Sequence, residues 1–235
     1  MLKQLDFEKI LFLDIETVPM VEKYELLPEK FKILWDKKAE NLKKKPDDTP
    51  DIIFKRAGIY AEFGRIVCIS AGFFYNREFR LKSFYGDDEV ILLREFATML
   101  NRFHTHRDNL LCAHNGKEFD FPYIARRMLI NGIALPELLD SAGKKPWEIA
   151  HLDTMELWKF GDFKSYTSLE LLAAVFGIPT PKDDIDGSMV AEVYYHQHDL
   201  ERIAHYCQRD TIAVAQLLRR YAGLPLIEER DIVLV

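Results

Sequence analysis

Residues 10–15, Ile-Leu-Phe-Leu-Asp-Ile, form a run of β-formers with almost no polar interruption. A short continuous run of this kind reads as a central strand covered on both faces. It ends on two acids, Asp14 and Glu16, one residue apart. Alternate side chains of a strand point to one face, so the two carboxylates can converge on one object. Like charges held close repel, and each loses hydration when partly buried, so the pair needs a cation or a raised pKa to persist. A divalent metal meets that need; a solvated strand end is the alternative. Asp-x-Glu also occurs at Asp6/Glu8, Asp87/Glu89 and Asp199/Glu201, in polar surroundings where solvated surface acids or helix-start acids account for it.

Residues 20–60 are charged, helix-prone and punctuated by Pro28, Pro46 and Pro50, a mostly helical insertion with a turn near "KPDDTP". Strand pattern resumes at "GRIVCISAGFFY" and "REFRLKSFYG", joined as a hairpin by the polar link "NREF". Asp87 opens a helix whose Val90, Leu93, Phe96, Ala97 and Leu100 fall on one face. "NLLCAHN" is a fourth strand, "FPYIARRMLI" a helix with Phe121, Ile124 and Met128 along one side, and "IAHLD" a short strand. Helices are expected near 154–160, 167–176, 187–196 and 199–221. That order describes one α/β domain, residues 1–235, with a mixed sheet.

The chain has 235 residues, 48% of them hydrophobic, enough for a sizeable core. Its net charge of -6 argues against coating nucleic acid through a whole-surface field, and leaves room for an enzyme that grips a few phosphates locally. Basic clusters at Lys43–Lys45, Arg126/Arg127, Lys144/Lys145 and Arg219/Arg220 read as solvated faces. Cys68, Cys112 and Cys207 lack metal-ligand spacing and are expected as buried, reduced thiols. No apolar run approaches the length of a membrane span and the N-terminus lacks a signal-peptide pattern, so a cytoplasmic protein with no membrane partner is expected.

Two further stretches carry acids. "AHNGKEFDFPYIARR" puts Asp120 at or just before the first turn of a helix, where an N-cap or dipole-stabilised acid would account for it. "IAHYCQRDTIAVAQLL" puts Tyr206 and Asp210 four apart on one helical face. A carboxylate facing a sheet needs something to offset its desolvation; an exposed acid beside Gln208 and Arg209 is the alternative.

Together the three stretches resemble, in order and content, the exonuclease motifs of the DnaQ-like (DEDD) superfamily: Asp-x-Glu on the first strand, Asn-x(3)-Phe-Asp before a helix, Tyr-x(3)-Asp on a late helix. The resemblance runs from about residue 10 to 221. It is greatest to stand-alone 3'-5' exonucleases similar to the proofreading domain of family B DNA polymerases, through "LFLDIETVP", "AEFGRIVCIS", "HNGKEFDFPYIARRM", "KKPWEIAHLDTMELWKFGD", "PKDDIDGSMV" and "YCQRDT". It implies a ribonuclease H-like fold, a mixed sheet flanked by helices. It also implies that Asp14, Glu16, Asp120 and Asp210 hold two divalent cations, magnesium or manganese. Asp14 would bridge both ions, with Glu16 and Asp210 completing the first and Asp120 serving the second.

The implied activity is hydrolysis of DNA 3' ends, single-stranded, to nucleoside monophosphates, on its own or beside a polymerase or repair partner in trans. RNA or oligonucleotide substrates, or a non-catalytic nucleic-acid-binding accessory role, are the alternatives; the intact acid set favours catalysis. In the superfamily a tyrosine four residues, or a histidine five residues, before the last aspartate orients the attacking water, and this chain offers both Tyr206 and His205. At about 100° per residue Tyr206 lies about 40° from Asp210 around the helix and His205 about 140° away, which selects Tyr206 and the DEDDy subclass. Asn115 and Phe119 are expected to touch the terminal nucleotide by polar contact and by stacking, although Phe119 reads equally as core. Asp153 and Asp186 read as helix caps, and Trp147 and Trp158 as packing.

Overall fold

The computed structural model describes residues 2–106, 108–162, 166–179 and 185–235. Residues 181–184 of the "PKDDIDGSMV" stretch lie outside the described residues. Strands β1 (Ile10–Pro19), β2 (Gly64–Tyr75), β3 (Glu78–Tyr85), β4 (Leu110–Ala113), β5 (Leu152–Asp153) and β6 (Ile232–Leu234) form one sheet. Its order is β5-β4-β1-β2-β3-β6. β1–β2 and β2–β3 are antiparallel, whereas β1–β4, β4–β5 and β3–β6 are parallel, so the sheet is mixed as expected.

The apolar run is central for the reason its composition suggests. Leu11, Leu13 and Ile15 pack into one buried cluster with α3 (Glu89–Phe103) and α4 (Asp120–Ile130). Ile10 and Phe12 pack into another, on the opposite face, with Val214, Ala215 and Leu218 of α8 (Leu200–Tyr221). Alternation along the strand thus feeds two layers of helices. Burial of one such side chain, for example Phe12, contributes about 1.5–3 kcal/mol.

Residues 20–63 hold α1 (Glu29–Glu40) and α2 (Pro50–Phe54) around a small core of their own. Trp35 is fully buried there, with the rings of Phe54 and Phe63 edge-on at 5.3 and 5.1 Å, and its Nε1 donates to the Pro50 carbonyl at 2.8 Å. The insertion clamps onto the end of β1 at Gly58, where a Cβ would lie 2.9 Å from the Val18 carbonyl carbon. The Tyr123 hydroxyl of α4 donates to the Gly58 carbonyl at 2.6 Å.

Several sequence expectations need correction. The hairpin turn is only Asn76-Arg77, both at positive φ (50° and 71°), with Tyr75 already opposite Glu78; two residues of left-handed backbone suffice. Asp88, not Asp87, caps α3, accepting from Val90 N–H and Ile91 N–H, while Asp87 accepts from the Tyr194 hydroxyl at 2.9 Å. Asp186 closes a local turn onto Ser188 rather than capping a helix. The helix expected from residue 187 is α7 (Val190–Glu192), running into a π-turn over Val193–Gln197. Strand β6 went unrecognised in a segment of three strand residues.

Two basic clusters are not simply solvated. Arg127 forms a buried ion pair with Glu89, which also removes Glu89 from the solvated acids, and Arg219 lies over the rings of Phe7 and Phe74. The three cysteines are buried and free, as expected. Among the described residues no helix is long and apolar enough to cross a membrane. The remaining helices are α5 (Thr154–Lys159) and α6 (Leu169–Val175).

Candidate active site

Phe12, opposite Cys112, is the last β1 residue paired with β4; beyond it β1 pairs with β2 alone, Asp14 opposite Ser70 and Glu16 opposite Cys68. A gap therefore opens beside the two acids. α4 begins at that gap with Asp120. A register shift between Glu16 and Thr17 interrupts the ladder immediately after the second acid, and pairing resumes with Thr17 opposite Ile66.

The loop carrying Asp120 is fastened from below. Asp153 is buried and its carboxylate accepts four backbone N–H groups: Asn115 at 3.0 Å, Lys117 at 3.1 Å, Met155 at 2.9 Å and Glu156 at 3.2 Å. It caps α5, as expected, and in the same act locks the turn from Asn115, whose φ is 63°. Gly116 fits because a Cβ there would sit 2.4 Å from that of Ala113. The cap position of α4 belongs to Phe119, which makes no side-chain cap bond, so Asp120 is not an N-cap. Its carboxylate instead accepts from its own N–H and from the Ile15 N–H on β1.

α8, capped by Asp199, crosses the sheet with Ile203, Ala204, Cys207 and Thr211 buried beneath it. Tyr206 and Asp210 flank that buried face, and the Tyr206 hydroxyl is hydrogen-bonded to Asp210. Asp14, Glu16 and Cys207 bring possible ligand atoms within 4.8 Å of one another. His205 is exposed and lines a cavity of about 1000 Å³ along α8 that Asp210 also lines.

The electrostatics are one-sided. Burial first, then the charges of Glu16, Asp210 and Asp120, push the Asp14 carboxyl well above the usual range. Glu16 is pushed up by burial, then by Asp210, Cys68 and Asp120. Burial pushes the Asp120 carboxyl up to about 7, with Asp153 and Asp210 adding to it and its backbone bonds opposing. Among the described residues no positive group is seen to relieve Asp14 or Glu16; only a hydrogen bond from Cys207 opposes the rise at Asp14, whose Oδ2 is buried without a hydrogen-bond partner. Carboxylate oxygens in this state fit a hard divalent cation. Burial, followed by the charges of Asp210, Glu16 and Asp14, raises the Tyr206 phenol, so it remains a neutral hydroxyl. Burial likewise raises the Cys207 thiol, which donates to the Asp14 carbonyl at 3.3 Å.

Asn115, Lys117 and Glu118 of the loop that carries Asp120 line a cavity of about 450 Å³, together with Lys144, Asp153, Glu156, Lys159 and Asp162. Phe119 is partly buried against the inner cluster, its ring 5.3 Å from that of Tyr123, which is the core alternative. Two features escaped the sequence reading. Asp153 was legible as a cap but not as the fastener of the Asp120 loop. Trp147, expected to pack, is 77% exposed, next in sequence to Pro146 of the cavity wall, whereas Trp158 does pack, stacked on Tyr221 at 6.0 Å.

Comparison with known proteins bears directly on this arrangement. A 25% identical match over 125 aligned positions, covering 48% of this chain and 16% of the relative, is to a DNA polymerase of Pyrococcus glycovorans. The family B DNA polymerase of the hyperthermophilic archaeon Pyrobaculum calidifontis superposes with a TM-score of 0.54 at 18% identity, over 89% of this chain and 24% of that one. The chain thus spans a small part of either polymerase, and the second match fixes the fold as ribonuclease H-like. A family model described as a predicted 3'-5' exonuclease related to the exonuclease domain of PolB matches residues 59–223, which contain Asp120, Tyr206 and Asp210. The strand with Asp14 and Glu16 precedes that match, and the fold brings it to the same place. With most of its length matched, the chain belongs to the family of predicted 3'-5' exonucleases related to the exonuclease domain of PolB, nucleases whose substrate is nucleic acid.

Proposed function

We propose that the protein is a metal-dependent 3'-5' exonuclease that hydrolyses the terminal phosphodiester of single-stranded DNA 3' ends and releases nucleoside monophosphates. The observation that carries this reading is the convergence of Asp14, Glu16, Asp120 and Asp210 from three separate elements, with no positive side chain among the described residues seen to balance the strand pair. Two divalent cations held by these four carboxylates, magnesium or manganese, would supply charge neutralisation and an activated water for in-line displacement.

The chain's own side chains do the rest. Tyr206 keeps its proton because burial and three acids oppose its ionisation, so its hydroxyl can hold the attacking water beside Asp210. Asp120 is held in place by the Ile15 N–H, which fixes the distance between the strand acids and the helix acid. Asn115, in the wall of the cavity, is assigned to polar contact with the terminal nucleotide, and Phe119, packed on Tyr123 but only partly buried, to contact with its base. A protein that only bound nucleic acid would be weakened by such a cluster of negative charge near phosphates.

The test is digestion of 5'-labelled single-stranded DNA, mismatched duplex and RNA, with and without magnesium or manganese. Stepwise 3' shortening that needs the metal and falls about a hundredfold or more in Asp14→Ala supports the reading. Metal-free activity in highly purified protein, or a wild-type rate in Asp14→Ala, would end it. Preference for RNA would keep the chemistry and change the substrate.

A further inference from the structure

Near the cavity of about 450 Å³ that Asn115 lines, three large aromatic side chains face solvent. Trp147 is 77% exposed, Phe160 87% and Tyr166 65%. Chain neighbours of the first two line the cavity, Pro146 beside Trp147 and Lys159 and Gly161 beside Phe160, as does Lys144, three residues before Trp147. Lysines accompany the rings. The Lys145 ammonium lies 5.3 Å from the Trp147 centroid, and the Lys159 ammonium 4.3 Å from that of Tyr166.

Packing accounts for little of these rings: Phe160 meets Trp158 edge-on at 6.3 Å and leaves most of its surface in solvent. Phe160 is the C-cap of α5 in left-handed backbone, φ 44°, a position that favours glycine or asparagine because a Cβ is disfavoured there. A bulky aromatic held in that conformation and left in water is costly twice over. Trp147 sits in a short Pro146–Glu148 turn held by Glu148 accepting the Lys145 N–H at 2.7 Å, which presents the indole outward. Among the acids at the rim, Glu156 is already paired with Lys117 at 2.7 Å.

We infer that Trp147, Phe160 and Tyr166, with Lys144, Lys145 and Lys159, form a stacking platform for the unpaired nucleic-acid strand upstream of the 3' terminus. Aromatic faces take bases of any sequence, lysines track the phosphates between them, and Asn115, Lys117 and Glu118 of the cavity wall belong to the loop that carries Asp120. A net charge of -6 makes such a local grip necessary, because the whole-molecule field repels the substrate. The inference rests on the exonuclease reading and adds the path by which the strand reaches the acids.

The test compares thymidine oligomers of two and ten nucleotides. Binding of the fluorescein-labelled decamer is followed by anisotropy in EDTA, and KM for both lengths is measured in magnesium. Lengthening to ten should tighten binding in the wild type. Stacking worth about fivefold to a hundredfold per base predicts that Trp147→Ala with Phe160→Ala removes at least about tenfold of that gain. Trp147→Phe should retain most of it, because the ring remains. Both positions are exposed, and circular dichroism checks that the variants are folded. Equal length gains in wild type and double variant, or no gain in a wild type that degrades both oligomers, would overturn the platform and leave the exonuclease reading standing. A wild type that neither binds nor degrades either oligomer would overturn both.

Discussion

Glu16 and Glu89 are buried to the same degree, each 7% exposed, yet they live in opposite electrostatic worlds. Glu89 is fully answered: Oε1 accepts from the Ile66 N–H at 2.7 Å and from Arg127 Nε at 2.9 Å, and Oε2 from Arg127 Nη2 and from Asn131 at 3.1 Å. Glu16 is pushed up by burial and then by Asp210, Cys68 and Asp120, with nothing positive among the described residues seen to offset them. Asp153 belongs with Glu89, since four N–H groups satisfy it. Burial of an acid therefore does not mark a functional site. Burial left electrostatically incomplete does, because the missing charge must come from something that binds.

The contrast can be broken most forcefully on the structural side. Glu89→Ala leaves Arg127 buried without its partner and should cost about 3–5 kcal/mol in denaturant unfolding, with kcat per folded molecule close to wild type. A loss below about 1 kcal/mol would show that the pair carries little, and would blur the distinction between the two acids.

On the catalytic side, Tyr206→Phe removes only the hydroxyl and should lower kcat about tenfold or more with little change in KM. His205→Ala, at an exposed position, should leave kcat nearly unchanged. The reverse pattern in steady-state kinetics would assign the water-holding role to the histidine.

A smaller effect concerns pH. The Asp120 carboxyl is raised to about 7 in the folded protein from an ordinary 3.8, so between those values the folded state holds a proton that the unfolded chain has released. Stability of the metal-free protein must then fall as pH rises from about 4 to about 7. Asp120→Asn should flatten that slope in melting curves taken in EDTA; an unchanged slope would exclude Asp120 as its source.

The sequence carried much of this. The run Ile10–Ile15 announced a central strand because no polar residue interrupts it, and the helical periods of 89–103 and 200–221 read directly as amphipathic faces. The spacing of Tyr206 and Asp210 placed both on one side of α8. Less legible were features that depend on distant partners. Glu89 looked like a solvated acid because Arg127, 38 residues away, is what buries it. Trp147 looked like core because exposure of an indole depends on the short turn that holds it. β6 was missed because three residues pairing with a strand about 150 positions earlier leave no local period to detect.

The central claim, that the acid cluster is unstable alone and completed by a cation, is tested most directly by melting Glu16→Gln and wild type in EDTA and in manganese at pH 8. Neutralising Glu16 relieves repulsion, so the variant should melt higher than wild type in EDTA, whereas manganese should stabilise wild type strongly and the variant weakly. A variant that melts lower than wild type in EDTA, or one that gains as much from manganese, would contradict the claim.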